Sequence, residues 1–218
     1  MSEGSVVAID GKSLRGTYDK SKRNAVIHRV SAFSAENRLV LGQVKTGAKS
    51  NEITAIPERL QLLELKGCLV TLDAMGCQHI IAREILKKKA GYLLALKGNQ
   101  GKLAEAFDNG YSPTMWLGER YDSYSTQEKG HGREDTRCCI VSHDLTALGD
   151  LAYEWSELST IGIVLGSRQE GETAVKSEKC ILRYYISSVT LTAKELLEAT
   201  RAHWSVENQL HWRLDMGM

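Results

Sequence analysis

Several features are scarce in this 218-residue sequence, and each scarcity argues against a class of protein. No stretch approaches the ~20 consecutive apolar residues that cross a membrane as a helix. The opening residues, MSEGSVVAID, have neither the basic start nor the long apolar run of a secretory signal. The net charge is small, because 28 basic residues are balanced by 27 acidic ones. Nucleic-acid domains are commonly far more basic. Global charge therefore argues mildly against DNA, although local patches matter more than the sum.

Cysteines are few and irregularly spaced. The odd number rules out complete pairing, and no CxxC pair occurs among the five, which are Cys68, Cys77, Cys138, Cys139 and Cys180. Disulfide frameworks and cysteine-based zinc sites need a regular pattern. We therefore expect free thiols in a reducing cytoplasm. We discount Cys77 and His79 as zinc ligands, because no second pair accompanies them.

The hydrophobic pattern predicts an α/β fold. Apolar residues make up 42% of the chain and charged residues 25%, which is ordinary for a soluble globular protein with a sizeable core. Predicted strands fall at residues 6–9, 24–34 and 38–46 and within 66–76 and 91–100, and predicted helices at 50–65, 77–90 and 101–109. This order predicts a mixed sheet flanked by helices. Pro57 should kink or delay the first helix, and Ile80, Ile81 and Ile85 should be buried in the second.

The pattern changes after residue 110. Short strand-like runs at 136–142, 160–167 and 180–187 predict a β-rich insertion over residues 111–190. A final helix is predicted from Ala193 to about residue 214, with Thr192 as its cap and Glu195 completing a capping box. We therefore divide the chain into a core segment, 1–110, the insertion, 111–190, and a helix that completes the core, 191–218.

Two aspartates follow predicted buried strands. Asp10 ends the run VVAID and Asp73 ends LVTLD. If the two strands are neighbours, the carboxylates lie side by side, and such close like charges persist when a cation sits between them. Carboxylate oxygens suit Mg²⁺ or Mn²⁺. Each aspartate alone is more commonly a turn or capping residue.

The predicted last helix offers a third carboxylate. Arg201, Trp204, Glu207 or Asn208, and His211 recur at three- and four-residue steps and share one face. Glu207 lies in the middle of this face, and three carboxylates can hold two metal ions. Alone, a helical glutamate is usually solvated. The ordered combination with Asp10 and Asp73 favours the metal site.

The chain resembles the DDE transposases of bacterial insertion sequences, in particular the H-repeat-associated group. The resemblance runs through nearly the whole chain and rests on an ordered set of stretches: AIDGKSLRG, KSNEITAIPERL, TLDAMGCQ, LLALKGNQ, KGHGREDTR, RYYISS and RAHWSVENQLHWRLD. It implies a ribonuclease-H-like core in which Asp10, Asp73 and Glu207 are the catalytic, metal-binding triad, with a β-rich insertion before the last of them.

The implied activity is metal-dependent DNA transposition. Two Mg²⁺ (or Mn²⁺) ions would serve cleavage of phosphodiesters at element ends and strand transfer by the freed 3′-hydroxyl. The implied partner is DNA, with a homodimer in the active synapse, no organic cofactor, no membrane, and a cytoplasmic location that becomes nucleoid-associated on DNA. Because relatives carry helical sequence before the first Asp and after the last Glu, we expect the chain to be truncated at both ends.

Two alternatives stay open beside the transposase. The chain could be a catalytically inactive DNA-binding remnant, or a two-metal nuclease for repair or RNA that shares the site. Candidate DNA-binding residues are Lys12, Arg15, Lys97, Asn99, His131, Arg133, Arg201, His203, Trp204, Asn208 and His211. Lys97 and Asn99 equally suit a simple turn, and His131 and Arg133 an exposed hairpin. Trp204 is more commonly a core residue, although aromatic rings can stack on bases.

Overall fold

The structure is a computed structural model, and it describes residues 4–14, 27–34, 36, 39–46, 52–111, 121–130, 133–170 and 179–206. The chain divides into two compact units. The first comprises Met1–Leu94 and Ala199–Met218, and the second comprises Ala95–Glu198. Within the described residues, no helix combines the length and apolar character needed to cross a membrane.

A mixed sheet organises the first unit. Its elements are β1 (Val6–Leu14), β2 (Ile27–Ser34), β3 (Leu39–Thr46), α1 (Glu52–Gln61), β4 (Leu69–Leu72), α2 (His79–Lys87) and β5 (Gly91–Leu96), which leads into the second unit. The strand order is β3-β2-β1-β4-β5. Strands β1, β2 and β3 pair antiparallel, whereas β4 pairs parallel with both β1 and β5. The predicted α/β class with a mixed sheet is confirmed.

The central strands are apolar because helices and neighbouring strands enclose them. All four residues of β4 are buried, as expected for a parallel strand covered on both faces. In α2 the buried side chains are Ile81, Ala82 and Ile85. Ile80 is 59% exposed, so its predicted burial is wrong. Each residue turns a helix by about 100°, and the step from Ile81 back to Ile80 leaves the buried stripe.

Two other predictions about the first unit need correction or refinement. Strand β1 does not end at Ile9 but continues to Leu14. Its antiparallel pairing with β2 extends to Leu14, whereas its parallel pairing with β4 ends at Ile9. Helix α1 contains Pro57 at its sixth position, so proline does not delay the start of the helix beyond Glu52.

An antiparallel sheet organises the second unit. Its elements are α3 (Gly101–Gly110), β6 (Asp122–Gly130), β7 (Arg133–Ser142), α4 (Leu151–Glu154), β8 (Thr160–Glu170) and β9 (Lys179–Ser187). The strand order is β9-β8-β7-β6, with every pair antiparallel. Strands β7, β8 and β9 match the predicted runs, whereas β6 was not predicted. The proposed functional division at residues 110 and 190 stays a prediction.

Helix α5 (Ala193–Val206) begins in the second unit and ends in the first. The predicted capping box is confirmed, because the Glu195 carboxylate accepts hydrogen bonds from the backbone N–H and hydroxyl of Thr192, each at 2.8 Å. The Thr192 hydroxyl in turn accepts the Glu195 N–H at 3.3 Å. The Ala193 N–H donates to Asp122 Oδ2 at 2.7 Å. These bonds fix the residue at which the helix starts.

Candidate active site

Two carboxylate residues follow the point at which the parallel pairing of β1 with β4 ends. The register of β1 and β4 ends at the pair Ile9–Leu72, and Asp10 and Asp73 are the next residue on each strand. Neighbouring strands lie about 4.8 Å apart, so the register places the two backbones side by side at this point. Side chains two residues apart share a face, which puts Asp10 with Ala8 and Asp73 with Thr71. Both aspartates are half-buried.

A tight turn holds one oxygen of Asp73. The carboxylate caps the one-turn 3₁₀ helix Ala74–Gly76, with Oδ1 accepting from the N–H of Met75 at 3.0 Å and of Gly76 at 3.2 Å. Among the described residues, no hydrogen bond to Oδ2 is present. The side chain is therefore oriented through one oxygen, and the other can take a ligand.

Gly76 is required by the packing of this turn. A Cβ atom at this position would lie 2.5 Å from Leu72 Cδ2 and 2.8 Å from Leu72 Cβ. Leu72 is buried, and its Cβ cannot move without the strand. The absence of a side chain at residue 76 thus lets the chain fold back on β4 and deliver two N–H groups to Asp73.

The neighbouring thiol of Cys77 is buried. Burial, and secondarily the charge of Asp73, raise the pKa of Cys77 to about 12. Cys77 is also fully buried, so its protonated thiol packs as part of the core. All five cysteines are free thiols, as predicted. No group of three His, Cys, Asp or Glu side chains poised for a metal occurs in the described part of the chain, which does not include Glu207.

The last helix reaches β4 close to Asp73. His203 of α5 forms a 3.0 Å hydrogen bond between its Nδ1 and Thr71 Oγ1, with the donor set by the imidazole tautomer. Thr71 is buried and His203 is half-buried. Trp204 is 42% exposed, and its ring meets the His203 ring edge-on. Arg201 is exposed one turn earlier.

Other predicted site residues are distributed between the two units. Lys97 and Asn99 are exposed in the second unit, at the 3₁₀ turn Gly98–Gln100 that precedes α3. Lys12 lies in β1 and Arg133 in β7, and the structure describes only their backbones. Predictions that lie outside the described residues concern Arg15, His131, Glu207, Asn208 and His211. Their roles, and those of the other predicted DNA contacts, stay predictions.

Charges near the KGHGREDTR hairpin largely pair with one another. Arg137 contacts Glu128 at 3.3 Å and Asp135 at 3.7 Å. Arg168 contacts Asp135 at 2.7 Å, and Lys129 contacts Glu134 at 3.3 Å. These exposed pairs offset each other, so the described strands of this hairpin carry little net positive charge for a phosphate backbone.

Two residues near Asp73 were missed by the sequence analysis. Thr71 and Gly76 are uncharged, so a search of the sequence for charged site residues does not select them. A signal was nevertheless present, because Thr71 is the one hydroxyl in the apolar run LVTL, and a buried hydroxyl needs a hydrogen-bond partner.

Comparison with known proteins identifies the family. Residues 1–218 match the family described as Transposase DDE domain, and the chain therefore belongs to it. It is 53% identical over 218 residues to "Putative transposase YncI" of Escherichia coli O157:H7, covering 100% of this chain and 56% of that relative. It is 48% identical over 213 residues to "H repeat-associated putative transposase YhhI" of Escherichia coli (strain K12), covering 98% of this chain and 56% of that relative. The resemblance drawn from the sequence is confirmed.

A third relative is also described as a putative transposase. The chain is 50% identical over 149 residues to "H repeat-associated putative transposase YbfD" of Escherichia coli (strain K12), which covers 68% of this chain and 59% of that relative. The chain thus spans about half the length of the curated relatives it matches.

Proposed function

We propose that this chain is the catalytic domain of a DDE transposase with a ribonuclease-H-like core. It would cleave phosphodiesters at the ends of a mobile DNA element and transfer the freed 3′-hydroxyl to target DNA. Family membership supports the class of reaction. The observation that supports the chemistry is the register of β1 and β4, which ends at Ile9–Leu72, one residue before Asp10 and Asp73.

The donor set suits hard divalent cations. Asp73 has one oxygen held by backbone N–H groups and another without a hydrogen bond in the described part of the chain, and its neighbour across the register is a second carboxylate residue. Carboxylate oxygens are the ligands that Mg²⁺ and Mn²⁺ prefer. We propose that Asp10, Asp73 and Glu207 hold two such ions. When bound, they would activate a water or 3′-hydroxyl nucleophile and offset charge at the phosphorus.

The protein side chains would orient the DNA around this site. Arg201 and Trp204 are exposed on the part of α5 that belongs to the first unit, two residues before and one residue after His203. We propose that Arg201 contacts the phosphate backbone and that Trp204 stacks on a base. We propose that Lys97, Asn99, Lys12 and the remaining predicted DNA-binding residues also contact DNA. Such contacts make binding salt-dependent.

A nicking assay tests the enzymatic proposal. Supercoiled plasmid is incubated with the 218-residue chain and Mn²⁺, and conversion to the open circle is measured for wild type, Asp10→Asn, Asp73→Asn and Asp150→Asn. Asp150 is an exposed turn residue and provides the matched carboxylate control. We expect Asp150→Asn to nick like wild type and the other two variants to lose activity by 100-fold or more, on the order of the loss of a metal site.

Other outcomes separate the alternatives. Equal nicking by wild type and Asp73→Asn would overturn the metal-nuclease assignment, and salt-dependent DNA binding without nicking would favour the inactive remnant. Preference for an RNA–DNA hybrid over duplex DNA would favour the repair or RNA nuclease. A homodimer is proposed for the DNA-bound state, and sedimentation with element-end duplexes would reveal a complex of only one chain if this is wrong.

A further inference from the structure

Basic side chains cluster where β4 and β5 begin, at the opposite end of β4 from Asp73. Segments 64–66 and 83–89 together carry five basic side chains and two acidic ones. This excess of three positive charges is larger than the net charge of the whole chain, which is +1. None of these residues is among the DNA contacts predicted from the sequence. The five basic residues, here called the basic patch, are Lys66, Arg83, Lys87, Lys88 and Lys89.

Backbone hydrogen bonds hold the two segments of the basic patch side by side. The Gly67 N–H donates to the Lys89 carbonyl at 2.9 Å, and the Gly91 N–H donates to the Cys68 carbonyl at 2.9 Å. Lys66, which precedes Gly67, therefore lies beside the three consecutive lysines at the C-terminal end of α2. The positive charges of the patch are thus brought together by the fold and not only by their order in the sequence.

Local contacts account for two of the lysines. Lys87 Nζ pairs with the Glu84 carboxylate at 2.6 Å. Lys88 Nζ donates to the Gln61 carbonyl, at the end of α1, at 2.8 Å. Cations at the C-terminal end of a helix are also favoured by the helix dipole. These structural contacts are sufficient to explain why Lys87 and Lys88 are basic.

The other three basic residues have no such local explanation. Lys66, Arg83 and Lys89 are exposed, and none of them has an ion-pair partner within the part of the chain that the structure describes. Lys89 also has a φ of 55°, in the left-handed region that glycine adopts without strain. Helices commonly end with glycine in this conformation, so lysine is an unfavourable choice for the backbone here. Such strain points to a role for the side chain.

We propose that the basic patch binds the phosphate backbone of duplex DNA without reading its sequence. Exposed lysines contact phosphates as flexible point charges, which position DNA but do not distinguish bases. The inference rests on the proposed function, because that function makes DNA the partner. Strand β4, with four residues and a length of about 13 Å, separates the patch from Asp73. The patch therefore holds a stretch of DNA other than the phosphodiester at the carboxylates.

Two double variants of equal charge test this contact. Lys66→Gln/Lys89→Gln removes two positive charges from the basic patch, and Lys102→Gln/Lys194→Gln removes two from exposed positions of the second unit. Affinity for a labelled duplex of arbitrary sequence is measured by fluorescence anisotropy at several salt concentrations, with EDTA to remove divalent ions. Each phosphate contact contributes about 0.9 to the slope of log affinity against log salt.

The two double variants should differ clearly. We expect Lys66→Gln/Lys89→Gln to reduce the salt slope by about 1.8 and to weaken binding roughly 10- to 60-fold at about 0.1 M salt. The control, Lys102→Gln/Lys194→Gln, should bind like wild type. Equal losses in both double variants would show a general charge effect and would overturn the assignment of the contact to the patch.

Lys89→Gly separates a DNA contact from a structural role. Glycine relieves the left-handed backbone, so we expect this variant to melt at or above the wild-type temperature. It should nevertheless bind the duplex about 8-fold more weakly at about 0.1 M salt, the loss of one phosphate contact. A lower melting temperature with unchanged DNA binding would show that Lys89 serves only the end of α2, and would remove it from the patch.

Acetylation of lysines locates the contact directly. Brief acetylation of the wild-type chain, with and without the duplex, is followed by mass spectrometry. DNA should protect Lys66 and Lys89 and leave Lys102 reactive. Equal reactivity of Lys66 and Lys89 in the two samples would refute the patch as a DNA contact. Stronger protection by polyglutamate than by duplex at equal charge would also overturn the proposal, in favour of an acidic protein partner.

Two combined outcomes keep this inference separate from the proposed function. If Asp73→Asn stops nicking while Lys66→Gln/Lys89→Gln binds the duplex like wild type, only the basic patch is refuted. If the double variant weakens DNA binding while the wild-type chain does not nick, the patch stands and the proposed enzymatic function fails. Circular dichroism melts check that each variant is folded. Should Lys66→Gln/Lys89→Gln fail to fold, acetylation of the wild-type chain still decides the question.

Discussion

Replacing Gly76 by alanine should disturb the turn that holds Asp73. The added Cβ would lie 2.8 Å from Leu72 Cβ and 2.5 Å from Leu72 Cδ2. A rotamer change moves Cδ2 but not Cβ, so either the strand end or the turn must shift. Overpacking a buried site usually costs about 1–3 kcal/mol. For a chain of this size, each kcal/mol lowers the melting temperature by about 2–4 °C.

The same shift should also disturb the hydrogen bonds that the Asp73 carboxylate accepts. The Gly76 N–H donates to Asp73 Oδ1 at 3.2 Å, and moving residue 76 lengthens or breaks this bond. Hydrogen bonds to charged groups contribute about 1.5–3 kcal/mol. We therefore expect Gly76→Ala to weaken Mn²⁺ binding as well as to lower the melting temperature, with both effects arising from one displaced turn.

Gly101→Ala is the matched control for this experiment. No atom lies within 4 Å of the Cβ that it would add, and its backbone is helical, with φ −54° and ψ −45°. Alanine there should be neutral or stabilise by about 0.4–1 kcal/mol. Thermal melts and Mn²⁺ titrations are run on both variants. Equal melting temperatures for Gly76→Ala and Gly101→Ala would refute the packing argument, and unchanged Mn²⁺ affinity in a destabilised Gly76→Ala would refute the link to Asp73.

Three further predictions concern other parts of the chain. Hydrogen bonds from Thr192 hold the pKa of Glu195 below its ordinary value of 4.5, so the stabilisation is complete above about pH 4.5 and is lost as pH falls through the folded-state pKa. Glu195→Ala should flatten acid unfolding curves, whereas Glu198→Ala should not. Mass spectrometry after brief thiol labelling should find the exposed Cys180 modified and Cys139, whose pKa burial raises to about 12, protected until unfolding. Gly162→Ala should lower the melting temperature, because its Cβ would lie 2.4 Å from Leu196 Cδ1.

Much of the sheet could be predicted because its strands are apolar. β4 and β5 appear in the sequence as short hydrophobic runs between helical patterns, and the structure places them next to each other in parallel. β6 escaped prediction because its sequence, DSYSTQEKG, has no apolar face, and none of its residues is buried. It is a strand because its backbone pairs with β7 along its whole length. Such pairing is a long-range property that local periodicity does not contain.

The elements around the candidate site could be predicted only in part. The sequence placed Asp10 and Asp73 after apolar runs, but their adjacency depended on the two strands being neighbours, which only the parallel pairing of β1 with β4 shows. The bond between Thr71 and His203 could not be predicted, since it joins residues 132 positions apart. His203 was included only among the candidate DNA-binding residues, because helical spacing does not predict which residue of a helix a distant hydroxyl will contact.

Asp73 shows why a capping residue and a metal ligand need not be competing interpretations. A carboxylate has two oxygens, and the turn uses only Oδ1, which accepts both the Met75 and Gly76 N–H groups. These bonds remove rotational freedom that a metal ligand would otherwise lose on binding, and they leave Oδ2 for the cation that we propose. Capping is therefore the means by which the chain presents the carboxylate. Asp73→Asn separates the two functions, because an amide oxygen can still cap the turn while the charge that attracts the cation is gone. We expect this variant to melt close to wild type and to bind Mn²⁺ weakly, and a large loss of stability in Asp73→Asn would show instead that the charge serves the turn.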